Sequence, residues 1–182
     1  MIFREVEDPD LVARAGKGDV DAFNVLVSRW EKRIFNYLFR LVGDREAALD
    51  LSQEVFLKAY LGLGKLQDGS RFAPWLFRIA HNEAFSLLRR RKFDPGPETE
   101  PDPDHSAAAL LPVELALAVE QALARLSPDQ REAVLLKIFQ GFKFEEMAEI
   151  LSCPVSTVKS RLYAALDLLK ESLAPINARG AQ

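Results

Sequence analysis

Apolar residues recur along most of this chain at steps of three and four. Between Asp19 and Gly43 they fall at Phe23, Leu26, Val27, Trp30, Ile34, Tyr37, Leu38 and Leu41. That spacing lines one side of a helix and persists for about five turns. Asp19 opens the segment, Gly43 closes it, and Asp44 caps the next one. Upstream, Asp8-Pro9 reads as an N-cap followed by proline at the first helical position, and Gly18 ends that short helix. A third helix runs from Asp44 to about Leu63 and is expected to bury Ala48, Leu51, Val55 and Ala59. Gly62, Gly64 and Gly69 punctuate a loop. A fourth helix begins near Phe72 or Ala73, with Leu76, Ile79, Ala80, Ala84 and Leu87 facing inward. It ends in Arg89-Arg90-Arg91-Lys92, cations placed at the negative end of the helix dipole.

A second helical set follows. Pro112 starts a helix carrying Leu115, Val119, Leu123 and Leu126. Ser127-Pro128-Asp129-Gln130 is a capping box with proline at its first position, and the apolar residues Val134, Leu135, Ile138 and Phe139 follow in the helix it opens. Gly141 stops it. A short helix, Glu145 to Leu151, breaks at Ser152-Cys153-Pro154 and is followed by a longer one from about Val155 to Leu173. Two helices joined by so tight a break form a helix-turn-helix pattern. No strand-like alternation of useful length is present, so the expected fold class is all-α.

Charge separates the two sets. Residues 1–93 carry 16 basic and 13 acidic side chains, whereas residues 94–111 carry five acidic and no basic ones. The prolines at 95, 97, 101 and 103 remove backbone donors and forbid helix, and the like charges repel. This stretch reads as an extended, flexible linker between a domain at 1–93 and another at 112–182. The formal net charge of the 182 residues is −3. A stand-alone nucleic-acid binder generally has the opposite excess, so any DNA binding is local or depends on a partner. The single cysteine, Cys153, excludes an intrachain disulfide and suits a reducing compartment, the cytoplasm. No signal peptide and no apolar run near the ~20 residues of a membrane span are expected.

Three clusters carry candidate chemistry. In the last helix-turn-helix, Ser156, Thr157, Lys159, Ser160 and Arg161 crowd the first turns of the second helix, while Val158, Leu162 and Leu166 hold it to its domain. Such a helix start enters the major groove, where hydroxyls bond phosphates and cations reach phosphate or guanine edges. The alternative is an ordinary polar helix start. The fourth helix carries Trp75, Arg78, Asn82, Phe85, Arg89 and Lys92 on one face. Rings that stack on bases, beside cations that track phosphates, suit single-stranded DNA. The alternative puts Trp75 and Phe85 in the core. The preceding loop, Lys65 to Phe72 with Arg71, could shape a pocket for an unstacked base. The third helix stacks Glu46, Asp50 and Glu54 on one face with Gln53 beside them. With His81 they suggest an all-helical metal-dependent hydrolase. Arg45 and Lys58 lie close, however, and no Glu-x-x-His pair appears. A solvated face or a protein-docking face remains open. No catalytic constellation, cofactor motif or metal site is expected.

Together these segments resemble the extracytoplasmic-function (ECF) sigma factors of bacterial RNA polymerase. The resemblance is carried by Asp50-Leu51-Ser52-Gln53-Glu54-Val55-Phe56-Leu57-Lys58-Ala59-Tyr60, by Phe72-Ala73-Pro74-Trp75-Leu76-Phe77-Arg78-Ile79-Ala80-His81-Asn82, and by Leu126-Ser127-Pro128 through Val155-Ser156-Thr157-Val158-Lys159-Ser160-Arg161-Leu162, in the family's order. It implies no enzymatic activity. The first domain would bind the coiled coil of the largest subunit of core polymerase through Asp50, Gln53, Glu54 and Phe56. Lys65, Arg71, Phe72, Trp75, Arg78, Asn82 and Arg89 would read the −10 promoter element as it opens, with the loop taking a flipped base. Ser156, Thr157, Lys159, Ser160, Arg161 and Tyr163 would read −35 duplex. An anti-sigma factor is the expected inhibitory partner. Promoter elements two turns apart are separated by ~70 Å at ~34–36 Å per turn. A linker of ~18 residues spans at most ~56 Å at ~3.1 Å per residue, and the domains supply the rest. A stand-alone helix-turn-helix regulator, binding duplex unaided as a dimer, is the rival reading. Ser152 stands where relatives often carry glycine, and Ala164 and Ala165 where many carry cations. No long extension follows Pro175, so no extra sensory domain is expected.

Overall fold

A computed structural model describes residues 6–93 and 113–179. The chain forms two compact units, Met1–Glu98 and Thr99–Gln182. The described residues are helical throughout, joined by turns, with no strand among them. The linker expected at 94–111 and the helix start expected at Pro112 lie outside the described residues.

In the first unit, α1 (Asp8–Ala15), α2 (Val20–Val42), α3 (Arg45–Gly62) and α4 (Phe72–Phe93) pack on one another. Short 3-10 turns at Leu63–Lys65 and Gly69–Arg71 join α3 to α4. The α2 stripe is buried where its periodicity placed it, apart from half-buried Val27. Tyr37 meets Phe77 of α4 edge-on at 5.1 Å, and Trp30 meets Phe72 and Phe77 at 6.1 and 6.3 Å. Ala48, Leu51, Val55 and Ala59 are the buried side of α3. On α4, Leu76, Ala80 and Ala84 are buried as expected, and Phe77 joins them, while Ile79 and Leu87 are only half-buried.

The helix junctions are fixed by carboxylates. Asp19 accepts from the Ala22 amide at 3.0 Å and from Arg14 Nε at 2.9 Å. Gly43 adopts φ 70°, and Asp44 then accepts from the Ala47 amide at 3.1 Å. Asp8 departs from its expected role. Helix α1 begins at Asp8 with Glu7 as its N-cap, so the proline lies one position deeper. The Asp8 carboxylate is thereby released to α2, where it accepts from Arg29 Nη1 at 2.8 Å and Trp30 Nε1 at 2.9 Å.

The second unit contains α5 (Val113–Ala124), α6 (Pro128–Val134), α7 (Phe144–Leu151) and α8 (Val155–Arg179), with α5, α6 and α7 all packed on α8. The Ser127–Gln130 capping box is formed. Arg131 turns its guanidinium back to the end of α5, donating to the carbonyls of Leu123, Ala124 and Leu126 at 2.9, 2.9 and 3.2 Å. Carbonyls at a helix end lack partners within the helix, and Arg131 supplies donors to them. Of the apolar residues Val134, Leu135, Ile138 and Phe139 in this helix, the first two are buried, whereas Ile138 and Phe139 are 60% and 36% exposed and Leu136 is buried. Helix α6 continues as a π turn over Leu135–Phe139. The wider turn delays each later side chain around the axis, so α-helical spacing misassigns the residues that follow it.

Ser152 is the non-glycine residue with positive φ, 51°, among the described residues, and it ends α7 in the left-handed conformation. An L-residue there costs roughly 1–2 kcal/mol. Glycine relieves that strain but loses about 0.5–1 kcal/mol to its freer unfolded chain. Ser152→Gly is therefore expected to stabilise the second unit by about 0.5–1 kcal/mol, read as a higher urea midpoint at unchanged slope. An unchanged or lower midpoint would contradict the strain.

Candidate protein- and DNA-binding faces

The outward side of α3 is the first face. Asp50, Gln53 and Glu46 are exposed, as the acidic stripe requires, and Phe56 is half-buried. Glu54 is turned inward along the surface. Lys58 Nζ lies 3.4 Å from Glu54 and 2.6 Å from Glu83 of α4, so Glu54 shares a cation that ties the two helices. The Glu83 hydrogen bond, before the Coulomb attraction of both carboxylates, holds the Lys58 ammonium above its ordinary pKa. Among the described residues no three His, Cys, Asp or Glu side chains gather so as to hold a metal.

Sequence reasoning missed the apolar half of this face. Leu49, Leu57, Tyr60 and Leu61 are exposed, Leu61 by 72%. At 100° per residue they interleave with Gln53 and Asp50, opposite the buried Ala48–Leu51–Val55–Ala59 side. The signal was present in the sequence: leucines at 49, 57 and 61 fall off the core stripe and make α3 apolar on both sides.

The second face runs along α4. Arg78, Asn82, Arg89 and Lys92 are exposed on one side. Trp75 and Phe85 are half-buried, between the two readings that the sequence left open. The Trp75 ring lies over the end of α3, where a Cβ on Gly62 would come within 3.2 Å of its Cζ2, and stands 6.0 Å from Phe72. Phe85 leans on His81 at 4.6 Å. Phe72 is a correction: at 1% exposure it is a core residue, packed on Trp30, and presents no surface to DNA. The helix starts at Phe72 itself, which turns that ring inward. Arg91 leaves the basic run to bond Asp44 at 2.6 Å and the Val42 carbonyl at 3.3 Å. Beyond it Phe93 is 86% exposed, five turns from Trp75 and so on the same side. The preceding loop exposes Lys65 and Arg71. Asp68 braces it by accepting from the Ser70 amide at 2.9 Å and hydroxyl at 2.6 Å, and these bonds hold its carboxyl below the usual range.

The third face is the start of α8. Ser156, Lys159, Ser160 and Tyr163 are exposed and Thr157 is half-buried. Val158 and Leu162 anchor the helix as expected, but Leu166 is exposed and Ala165, fully buried, takes its place. Lys159 Nζ sits 5.2 Å from the Phe144 ring centre, and Lys137 approaches the same ring at 4.6 Å. Arg161 turns away from the others, its Nη1 3.3 Å from Asp129 at the start of α6. The second unit thus brings Lys159 and the hydroxyls together and holds Arg161 back.

Comparison with known proteins fits this division. Residues 26–93 match the model for sigma-70 region 2, and residues 116–169 match that for sigma-70 region 4. The RNA polymerase sigma-H factor of Pseudomonas aeruginosa is 34% identical, over 93% of this chain and 95% of the relative. The ECF RNA polymerase sigma-E factor of Haemophilus influenzae is 32% identical, over 94% and 98%. The chain belongs to the ECF sigma factors of RNA polymerase. Its fold is similar to that of the Bartonella quintana sigma factor RpoE, solved in complex with the anti-sigma factor NepR. That match has a TM-score of 0.72 and 30% identity over 84% of this chain and 96% of that one. Both halves of this sigma factor are therefore accounted for, region 2 by the unit holding α3 and α4 and region 4 by the unit holding the helix-turn-helix. Among its described residues no helix is long and apolar enough to cross a membrane.

Lys159 and Arg161 differ in what they hold. Arg161→Met is expected to lower the stability of the sigma factor's second unit by up to about 1 kcal/mol, because Asp129 loses its partner. Lys159→Met should stay within about 0.5 kcal/mol. Chemical denaturation of the two variants checks this, and equal losses would contradict the division of roles.

Proposed function

We propose that this sigma factor works without catalysis of its own, in the cytoplasm, by joining core polymerase to a promoter through the three faces. The observation that carries this reading is the double-sided character of α3. Its outward leucines, interleaved with Asp50 and Gln53, form a protein-docking face beside a separate basic and aromatic face on α4. An exposed apolar strip with acidic and amide groups between fits a helical partner that carries cations, such as the polymerase coiled coil. Metal hydrolysis draws no support from it, because Glu54 is committed to Lys58.

On α4, Trp75 offers a half-open ring for stacking, while Arg78, Asn82 and Arg89 line the strand's path to the −10 element. Lys65 and Arg71 flank the loop that receives a flipped base. Ser156, Thr157, Lys159, Ser160 and Tyr163 read the −35 duplex, with Arg161 in a supporting role at Asp129. The solved complex with an anti-sigma factor supports such a partner here, and the exposed α3 leucines give it a surface to cover.

Reconstituted transcription with bacterial core polymerase tests the reading: promoter-specific initiation is expected only when this protein is added. Asp50→Ala combined with Leu57→Asp should weaken binding to core about tenfold or more while leaving stability nearly unchanged. Undiminished binding would overturn the docking face.

Trp75→Ala should leave core binding intact and impair strand opening about tenfold, within the ~1–3 kcal/mol of a stacked base. Permanganate reactivity of the opened thymines checks it. A full-size bubble would remove Trp75 from the strand's path.

A further inference from the structure

The 65–71 loop is held up by a helix that lies outside the region 2 match. Gly69 approaches the first turn of α1 so closely that a Cβ there would stand 2.8 Å from the Pro9 Cα and 3.0 Å from its carbonyl oxygen. Both are backbone atoms, so no rotamer change relieves the contact. Helix α1 is fixed in turn. Its Asp8 carboxylate bonds Arg29 and Trp30 of α2, and Leu11, Val12 and Ala15 are buried. Within itself the loop is braced by Asp68 on Ser70. The chain of support runs from α2 through Asp8 to α1, and from Pro9 through Gly69 to the loop that carries Lys65 and Arg71.

We infer that Gly69 and α1 are positioning elements for base capture, and that α1 sets the height of the pocket floor and with it the discrimination among bases. This rests on the reading of the loop as the site that receives a flipped base. Residue 69 has no side chain to offer a base. It acts by allowing the loop to sit directly on backbone, where any side chain would lift it. A base pocket discriminates through hydrogen bonds that tolerate little displacement, so a lifted loop loses selectivity before it loses general affinity for the strand.

Gly64 provides the matched control. It lies just before the loop, and a Cβ there would meet the Gly16 carbonyl oxygen at an ordinary 3.8 Å. The full chain is assembled with core polymerase on a library randomised across the −10 non-template strand, and initiation is scored for each base at each position. Gly69→Ala is expected to flatten the preference at one position by about tenfold, the scale of losing one base contact. Affinity for core should hold, and Gly64→Ala should keep wild-type preferences. Asp8→Asn, which loosens α1 without touching the loop, should flatten the same position to a smaller degree. It serves where Gly69→Ala lowers the melting temperature enough to confuse the comparison. The double variant Lys65→Ala with Arg71→Ala separates the two layers. If it flattens that position while Gly69→Ala and Asp8→Asn leave it sharp, the buttress is overturned and the loop reading stands. If the double variant leaves every position sharp, the loop reading falls and the inference with it.

Discussion

Helix α4 is held at both ends, and the first unit depends on that. At its start Phe72 and Pro74 are buried, with Phe72 against Trp30; at its end Arg91 bonds Asp44 and the Val42 carbonyl. A helix pinned so cannot rotate about its axis. Its inner side is then committed to Leu76, Phe77, Ala80 and Ala84, and its outer side presents Arg78, Asn82 and Arg89 in a fixed line. The same Asp44 carboxylate caps α3, so one side chain fixes the start of the proposed docking helix and the end of the proposed DNA helix. Its pKa is lowered chiefly by the Ala47 amide and then by Arg91. Both partners favour the ionised form, so the junction's stabilisation is complete above the ordinary carboxylate range and is lost as pH falls through the lowered value.

The periodic stripes made the helices legible because long helices with one buried side leave a regular trace. The buried residues of α3 could be named from spacing alone, and so could those on α2 apart from Ala22, Phe39 and Val42. Spacing failed where geometry changed locally. The π turn at Leu135–Phe139 moved Leu136 in and Ile138 out, and the sequence of five ordinary residues carries no mark of it. A one-residue difference in the start of α1 reassigned Asp8 from cap to inter-helix partner. Phe72 looked like part of a basic and aromatic surface because position along the chain cannot tell the last core ring from the first surface one.

The faces were legible to different degrees for the same reason. Charged residues that point outward are found from sequence easily, since they have nowhere else to go. Apolar residues that point outward are not, since leucine is read as core by default. The leucines at 49, 57 and 61 show the limit: their spacing already set them off the core stripe of α3, but the default reading passed over them until their exposure was seen. Support relations were less visible still. Nothing in the spacing of Pro9 and Gly69 announces a backbone contact across sixty residues.

The start of α8, read as the −35 face, gives a reason for such a protein to act through a larger machine. Ala165 is fully buried, so a longer cation there would cost desolvation and packing together. Arg161 is held by Asp129, and Lys159 is drawn over Phe144. On the proposed reading, few cations are left to displace counterions from duplex, and each phosphate contact contributes an affinity that salt erodes. A weak reader becomes effective when tethered, because a second contact made within one assembly is set by effective concentration and not by bulk concentration. The docking side of α3 supplies that tether if it binds polymerase, and the modest charge of the second unit then serves selectivity, since a reader that binds poorly alone does not linger on duplex away from promoters.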